Sequence, residues 1–165
     1  MPESVIISFS FQEYGNLKEL TDNDRELVLT ARQAAENAYA PYSRFRVGAA
    51  IRLASGRIIH GSNVENAAFP SGICAERNVF ATLVSCWPGD QAETAAITAF
   101  KEDGGLAGDV SPCGNCRQVM AEEETRTGSR IRIILDGRDK IRIIESVSHL
   151  LPLQFSRNNL IPRNP

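Results

Sequence analysis

The order of elements legible in this chain predicts an α/β fold built on a mixed sheet with helices on both faces. Three observations carry that reading. Apolar and polar residues alternate over 45–53 and again over 57–61 around Ser55-Gly56, the pattern of a β-hairpin. Helical spacing of apolar residues marks three longer stretches. The last two apolar runs, 130–135 and 141–144, are joined only by a turn at Asp136-Gly137-Arg138-Asp139. A parallel crossover needs a dozen or more residues, so these two strands must be antiparallel neighbours.

The elements follow in order. Residues 5–13 alternate, with Val5, Ile7, Phe9 and Phe11 on one face and Ser8, Ser10 and Gln12 on the other, which predicts a half-buried strand. It lies in a segment, 1–20, read as an N-terminal extension ahead of one domain spanning 21–165. Thr21-Asp22-Asn23-Asp24 supplies N-cap chemistry. Leu27, Ala31, Ala34, Ala35 and Ala38 then form a helical stripe that Pro41 is expected to end. In the hairpin, Val47, Ala49, Ile51 and Leu53 should point inward. Pro70-Ser71-Gly72 breaks the chain before a helix running to about Ser85, with Ile73, Val79, Phe80 and Leu83 on its buried side. Thr94 to Phe100 is short and apolar, a central strand. Lys101 to Val110 is a loop. A helix after Pro112 buries Val119 and Met120 and ends near Glu124, and a helical turn after Ile144 reaches about Leu151.

Composition excludes several classes. With 165 residues, 42% of them apolar and 23% charged, the chain can bury an ordinary core and is not a disordered polymer. A net charge of −2 gives no global attraction to nucleic acid. No apolar run approaches the roughly 20 residues of a membrane span. The N-terminus lacks a basic region, apolar stretch and cleavage site, so a cytoplasmic location is expected. Four cysteines in such a chain suggest metal or free thiols rather than disulfides. Cys86, His60 and His149 have no ligand spacing and are read as structural or exposed. Arg130, Arg132, Arg138, Lys140 and Arg142 alternate with isoleucines, a solvated strand face rather than a nucleic-acid site.

The chemistry is concentrated in Cys74-Ala75-Glu76-Arg77 and Pro112-Cys113-Gly114-Asn115-Cys116, with 38 residues between Cys74 and Cys113. Three thiolates can fill three tetrahedral positions of zinc and leave the fourth for water, the pattern of a catalytic site. A structural zinc or three reduced thiols are the plainer alternatives. Cys113 and Cys116 share one helical face, and Pro112 suits the first helical position. Both motifs should open helices, where unpaired N–H groups and the macrodipole favour thiolates. Zinc makes hydroxide available near neutral pH, and a glutamate that is not a ligand can carry protons. Cys, a Glu two residues later and Pro-Cys-x-x-Cys together form the pattern of zinc-dependent base deaminases.

The flanks add a resemblance to the small, homotetrameric cytidine deaminases. It is carried by 39–50 (YAPYSRFRVGAA), by 63–77 (NVENAAFPSGICAER), by 111–119 (SPCGNCRQV) and by Leu150-Leu151-Pro152-Leu153-Gln154-Phe155. The resemblance covers about 25–160. It implies a three-layer α-β-α sandwich with a five-stranded mixed core sheet whose last two strands are antiparallel. One zinc per chain would sit on Cys74, Cys113 and Cys116, with Glu76 as the proton shuttle. Asn63 and Glu65 would hold the ribose hydroxyls. Phe45 would line the base pocket with the Ala75 backbone at the base edge, and Phe155 would stack on a base in a neighbouring subunit. Arg77 would hydrogen-bond the ligand thiolates, offsetting the net −1 of zinc with three thiolates. The implied reaction is hydrolytic deamination of cytidine and deoxycytidine in pyrimidine salvage, by a homotetramer with shared sites. Two rivals remain: a deaminase of another small cytosine-containing molecule such as blasticidin S, and a zinc-stabilised binding module without catalysis. Phe69 stands where the family often has tyrosine, and Phe155-Ser156-Arg157 departs from the usual tail.

Overall fold

The computed structural model describes residues 2–160. The last residues of the domain read from the sequence, 161–165, lie outside the described residues. Six strands form one sheet in the order β1-β6-β5-β4-β2-β3. They are β1 (Gln12–Tyr14), β2 (Arg46–Leu53), β3 (Ile58–Ser62), β4 (Ala92–Phe100), β5 (Arg132–Asp136) and β6 (Ile141–Ile144). Three helices cover it: α1 (Asp22–Glu36), α2 (Ala75–Cys86) and α3 (Gly114–Thr127). The five expected core strands are present, and β1 adds a sixth at the edge. β4 and β5 are parallel, whereas every other neighbouring pair is antiparallel. As the short turn requires, β5 and β6 pair antiparallel, with Asp136 opposite Ile141.

The layers follow from the strand pleat, which sends alternate side chains to opposite faces. Ala49, Ile51 and Leu53 of β2 join Ile97, Ile133 and Leu135 in a core with Val79, Phe80 and Leu83 of α2 and Met120 of α3. Ala50, Ala96, Ile134 and Ile143 face the other way and pack against Leu27, Val28 and Ala31 of α1. Each fully buried leucine or isoleucine contributes about 1.5–3 kcal/mol relative to exposure.

Helix α1 begins where its cap chemistry predicts: the Thr21 hydroxyl oxygen accepts a hydrogen bond from the Asp24 N–H at 3.2 Å. Its alanine stripe lets the backbone settle onto the sheet. A Cβ on Gly48 would lie 2.0 Å from the Ala31 carbonyl oxygen and 2.6 Å from the Ala35 nitrogen. Only glycine permits that approach. Two bidentate ion pairs then lock the helix to β5. Arg32 donates to both oxygens of Asp136 at 2.7 Å, and Thr98 donates to the same buried carboxylate at 2.7 Å. Arg132 grips Asp24 at 2.5 and 2.9 Å. Arg142 likewise pairs with Glu13 and Asp109. The basic run is therefore partly spent on internal ion pairs.

Three expectations need correction. The strand predicted over 5–13 is confined to Gln12–Tyr14, and Val5 and Ile7 are 82% and 58% exposed. The reason is the partner: β6 stops at Ile144 and the chain turns into Val147–His149, so the edge offers no ladder to residues 5–11. Phe9 instead stacks on His149 with ring centroids 5.4 Å apart, and Phe11 lies under the Arg142 guanidinium. Helix α1 ends at Glu36 rather than at Pro41. Tertiary pairing overrides the helical pattern there: Tyr39 donates to the Asn63 carbonyl at 3.1 Å and accepts from the Glu65 N–H at 2.8 Å. Finally, α3 runs to Thr127, a turn beyond Glu124, and stops at Gly128, whose φ of 71° is the left-handed C-terminal conformation.

Two stability predictions follow from α1. Gly48→Ala should destabilise the fold by about 3 kcal/mol or more, whereas Gly108→Ala, with nothing near its Cβ, should be close to neutral in urea unfolding. The second concerns pH. Burial opposes the Asp24 carboxylate, but hydrogen bonds from Arg132 and Thr21 outweigh it and hold its pKa below the ordinary 3.8. A depressed folded-state value means the contribution is present above the unfolded value and lost as pH falls through the folded one. The difference in melting temperature between the parent and Asp24→Asn should therefore be largest near neutrality and vanish in strong acid.

Candidate active site

Two helix N-termini meet at one end of the sheet. Cys74 is the N-cap of α2, with φ −74° and ψ 153°. Cys113 is the N-cap of α3, with φ −67° and ψ 166°. Both hold extended backbone, so helical geometry begins at Ala75 and at Gly114. Pro112 therefore precedes the cap instead of occupying the first helical position. The spacing still works, because an N-cap residue and the third helical residue lie over the same turn. The Cys113 and Cys116 sulfurs are 3.4 Å apart, and all three Sγ atoms, with Cys74, lie within 4.8 Å of one another. Tetrahedral zinc with Zn–S bonds of about 2.3 Å sets sulfurs roughly 3.8 Å apart. The donor set fits that ion.

Electrostatics differ among the three thiols. Burial, followed by the neighbouring Glu76 charge and the hydrogen bond to Cys113, pushes the Cys116 thiol far up. Burial also raises Cys74. At Cys113 burial is outweighed by hydrogen bonds from the Cys116 N–H, the Cys116 thiol and the Asn115 N–H, so its thiol is lowered. Metal binding deprotonates cysteine ligands, so burial of Cys74 and Cys116 opposes it while the N–H groups around Cys113 favour it. Glu76 is only 5% exposed, and burial raises its carboxyl above the usual range.

An open cleft of about 680 Å³ leads to Cys74, Cys113 and Glu76. Phe45 lies just before β2 and Val47 at its start, Asn63 and Glu65 are in the chain leaving β3, and Val110 and Ser111 in the loop before α3. Asn63 and Glu65 also brace the wall. The Asn63 Oδ1 accepts from the Val47 N–H at 2.8 Å and its Nδ2 donates to the Phe45 carbonyl at 3.0 Å. Oε2 of Glu65 accepts from the Tyr42 and Ser43 N–H groups at 2.9 and 3.2 Å. Ser43 also lowers the Glu65 carboxyl by a side-chain hydrogen bond, and it accepts from the Phe45 N–H at 3.0 Å. Together these bonds hold Arg44 at φ 56°, a left-handed conformation costly for a residue with a side chain. An ion pair of Arg44 with Glu102 ties this segment to the opposite loop.

Seven of the expected residues thus share one cleft: Cys74, Cys113, Glu76, Phe45, Asn63 and Glu65 line it, and Cys116 lies buried beneath. Ala75 is fully buried at the first position of α2, between two cleft-lining residues. Phe155 is 58% exposed and lies outside the cleft of its own chain. Arg77 has no hydrogen bond to the sulfurs among the described residues. Its side chain lines a separate hollow of about 410 Å³ with Phe80, Val84 and Val119. Tyr42, Ser43 and Arg117 were not given roles from the sequence. All three stand inside the quoted motifs, but their bonds pair side chains with backbone groups distant in sequence, Glu65 with Tyr42 and Ser43 and Arg117 with Leu150, which spacing does not reveal. Cys86 is exposed and apart from the cluster.

Residues 21–128 match the family described as the cytidine and deoxycytidylate deaminase zinc-binding region. The cytidine deaminase of Sporosarcina psychrophila is 39% identical over 135 residues, covering 82% of this chain and 93% of its own length. A probable cytidine deaminase of Dictyostelium discoideum is 32% identical over 144 residues, covering 86% and 91%. The crystal structure of cytidine deaminase from Burkholderia pseudomallei superposes with a TM-score of 0.69 at 34% identity, covering 82% of this chain and all of that one. That from Mycobacterium tuberculosis gives 0.63 at 36%, covering 82% and 98%. With its three sulfurs gathered at two helix starts and a buried carboxylate beside them, the chain belongs to the cytidine and deoxycytidylate deaminase family and carries its zinc-binding region.

Proposed function

We propose that the protein is a hydrolytic nucleoside deaminase that converts cytidine and deoxycytidine to uridine and deoxyuridine with release of ammonia, a step of pyrimidine salvage. The observation that carries this is the buried Glu76 carboxylate sharing the end of the cleft with the cysteine cluster. A cleft of about 680 Å³ is within the range for small-molecule sites. Cys74, Cys113 and Cys116 would hold zinc, which when bound would lower the pKa of water so that hydroxide is available near neutral pH. Glu76 accepts the proton of the water that adds to C4 and passes it to N3 of the ring. Glu76 then takes the remaining proton from the hydroxyl on C4 and gives it to the 4-amino group, so that the C4–N bond breaks, the C4 carbonyl forms and ammonia leaves. Burial of Glu76 favours a carboxyl that both takes and returns protons, while a dication nearby acts in the opposite direction.

Phe45 lines the base pocket, the Ala75 backbone lies at the base edge, and Asn63 and Glu65 bind the ribose hydroxyls. The Tyr42 and Ser43 N–H groups both go to Oε2 of Glu65, which leaves the exposed carboxylate room for a hydroxyl. Phosphate is disfavoured beside this carboxylate, which supports nucleosides over nucleotides. Phe155 serves the cleft of a neighbouring copy within a homotetramer; its exposure and distance from its own cleft support that. The assignment of Arg77 to the ligand thiolates rests on the family resemblance alone. Residues 1–20 are an extension to the domain, consistent with a family match that begins at residue 21. The protein works in the cytoplasm on small molecules, not on polynucleotides or membranes.

Two predictions test this reading. Purified parent protein should hold close to one zinc per chain by metal analysis, and Cys116→Ala should hold almost none and melt at lower temperature. Glu76→Ala should keep zinc and fold but lose about a hundredfold or more in turnover, followed by the fall in absorbance as cytosine becomes uracil. Turnover near the parent value would remove Glu76 from proton transfer. Run with cytidine, deoxycytidine, deoxycytidylate and blasticidin S, the same assay decides the substrate. Loss with blasticidin S alone would discard the ribose assignments, and no loss with any would point to a binding module.

A further inference from the structure

The first turn of α3 holds more than metal ligands. Arg117 follows Cys116, and its guanidinium folds back over the turn. Nε donates to the Pro112 carbonyl at 2.8 Å, Nη2 to the Ser111 hydroxyl at 2.9 Å and Nη1 to the Leu150 carbonyl at 2.8 Å. The next side chain, Gln118, donates Nε2 to the Phe155 carbonyl at 2.8 Å. Two successive residues therefore grip the C-terminal segment at Leu150 and at Phe155.

Between these anchors Leu151 packs against the core and the chain turns at Pro152-Leu153. Among the described residues no backbone–backbone hydrogen bond involves residues 152–155. Leu153 sits at φ 59° and is 93% exposed, a left-handed conformation that neither local preference nor burial of its side chain favours. The side-chain hydrogen bonds to its two ends come from α3. A guanidinium bonded at three places is rigid, because its donors lie in one plane with fixed directions. Any displacement of the Leu150 carbonyl is thus felt at Pro112 and Ser111, which adjoin Cys113.

We propose that Arg117 and Gln118 are positioning residues that hold the segment from Leu150 to Phe155, and with it the Phe155 ring, in register with the turn carrying Cys113 and Cys116. Arg117 links the segment to the loop before Cys113. Gln118 sets the height of Phe155 along the helix. The kinetic part of this rests on the reading of Phe155 as a base-stacking residue, whereas the mechanical part does not.

The test uses full-length, zinc-loaded protein. Gln118→Leu should speed hydrogen–deuterium exchange in the peptide over 150–160 by about tenfold and raise KM for cytidine about threefold to tenfold, with kcat and zinc content unchanged. Gln118→Lys, which keeps a donor, should recover part of the KM. The double variant Gln118→Leu/Phe155→Ala should have the KM of Phe155→Ala alone, because residues acting through one another are not additive. Arg117→Met should quicken the same exchange and also weaken zinc retention against a chelator. Unchanged exchange in Gln118→Leu and Arg117→Met overturns the proposal, as does a full further loss when Gln118→Leu is added to Phe155→Ala. If exchange quickens while Phe155→Ala leaves KM at the parent value, the clamp stands and the base-stacking role of Phe155 falls.

Discussion

The site depends on two helices starting at the same place. Cys74 and Cys113 cap α2 and α3, so each thiol sits where backbone N–H groups have no partner within the helix. Those N–H groups and the helix dipoles favour negative charge, and three thiolates brought within 4.8 Å need that help. The same geometry places Glu76 in the first turn of α2, beside the cluster and buried, which raises its carboxyl pKa. Moving either helix start by one residue would turn a ligand away by about 100°, since a helix has about 3.6 residues per turn.

The helix starts are in turn held by the sheet. β2, β4 and β5 lie at its centre, and α2 and α3 share a core on one face with them. Helix α1 covers the other face, brought close by Gly48 and locked by the buried Asp136 pair. Leaving Asp136 without Arg32 would cost far more than the pair itself contributes, because an unpaired buried charge has no water to solvate it. The consequence is a rigid platform under a mouth built from loops. Those loops are fixed by side chains bonding backbone: Asn63 and Glu65 on one wall, Arg117 on the other.

That division explains which parts could be read from the chain. Period-two alternation in β2 and β3, cap chemistry at Thr21, the alanine stripe of α1 and the short turn before β6 are local signals, and the elements lie where those signals place them. The ligand set was legible for a similar reason, since a Cys-x-x-Cys at a helix start converges whatever surrounds it. Residues 5–11 misled because alternation reports a face, not a partner. With β6 ending at Ile144 they had nothing to pair with, and their apolar side chains remain exposed.

By itself the sequence determined the α/β class, the antiparallel closing strands, the three cysteines with their carboxylate, and the family, because each is written in spacing and residue type. Tertiary structure alone decided where α1 stops, since Tyr39 leaves the helix to pair with Asn63 and Glu65. It also decided that Asn63 and Glu65 brace the wall they line, that Arg77 lies in a different hollow, and that Phe155 stands clear of its own cleft. The physical reason is common to all of these. A side chain bonding a backbone group far along the chain is chosen by distance in space, and no pattern of neighbours along the sequence encodes that distance.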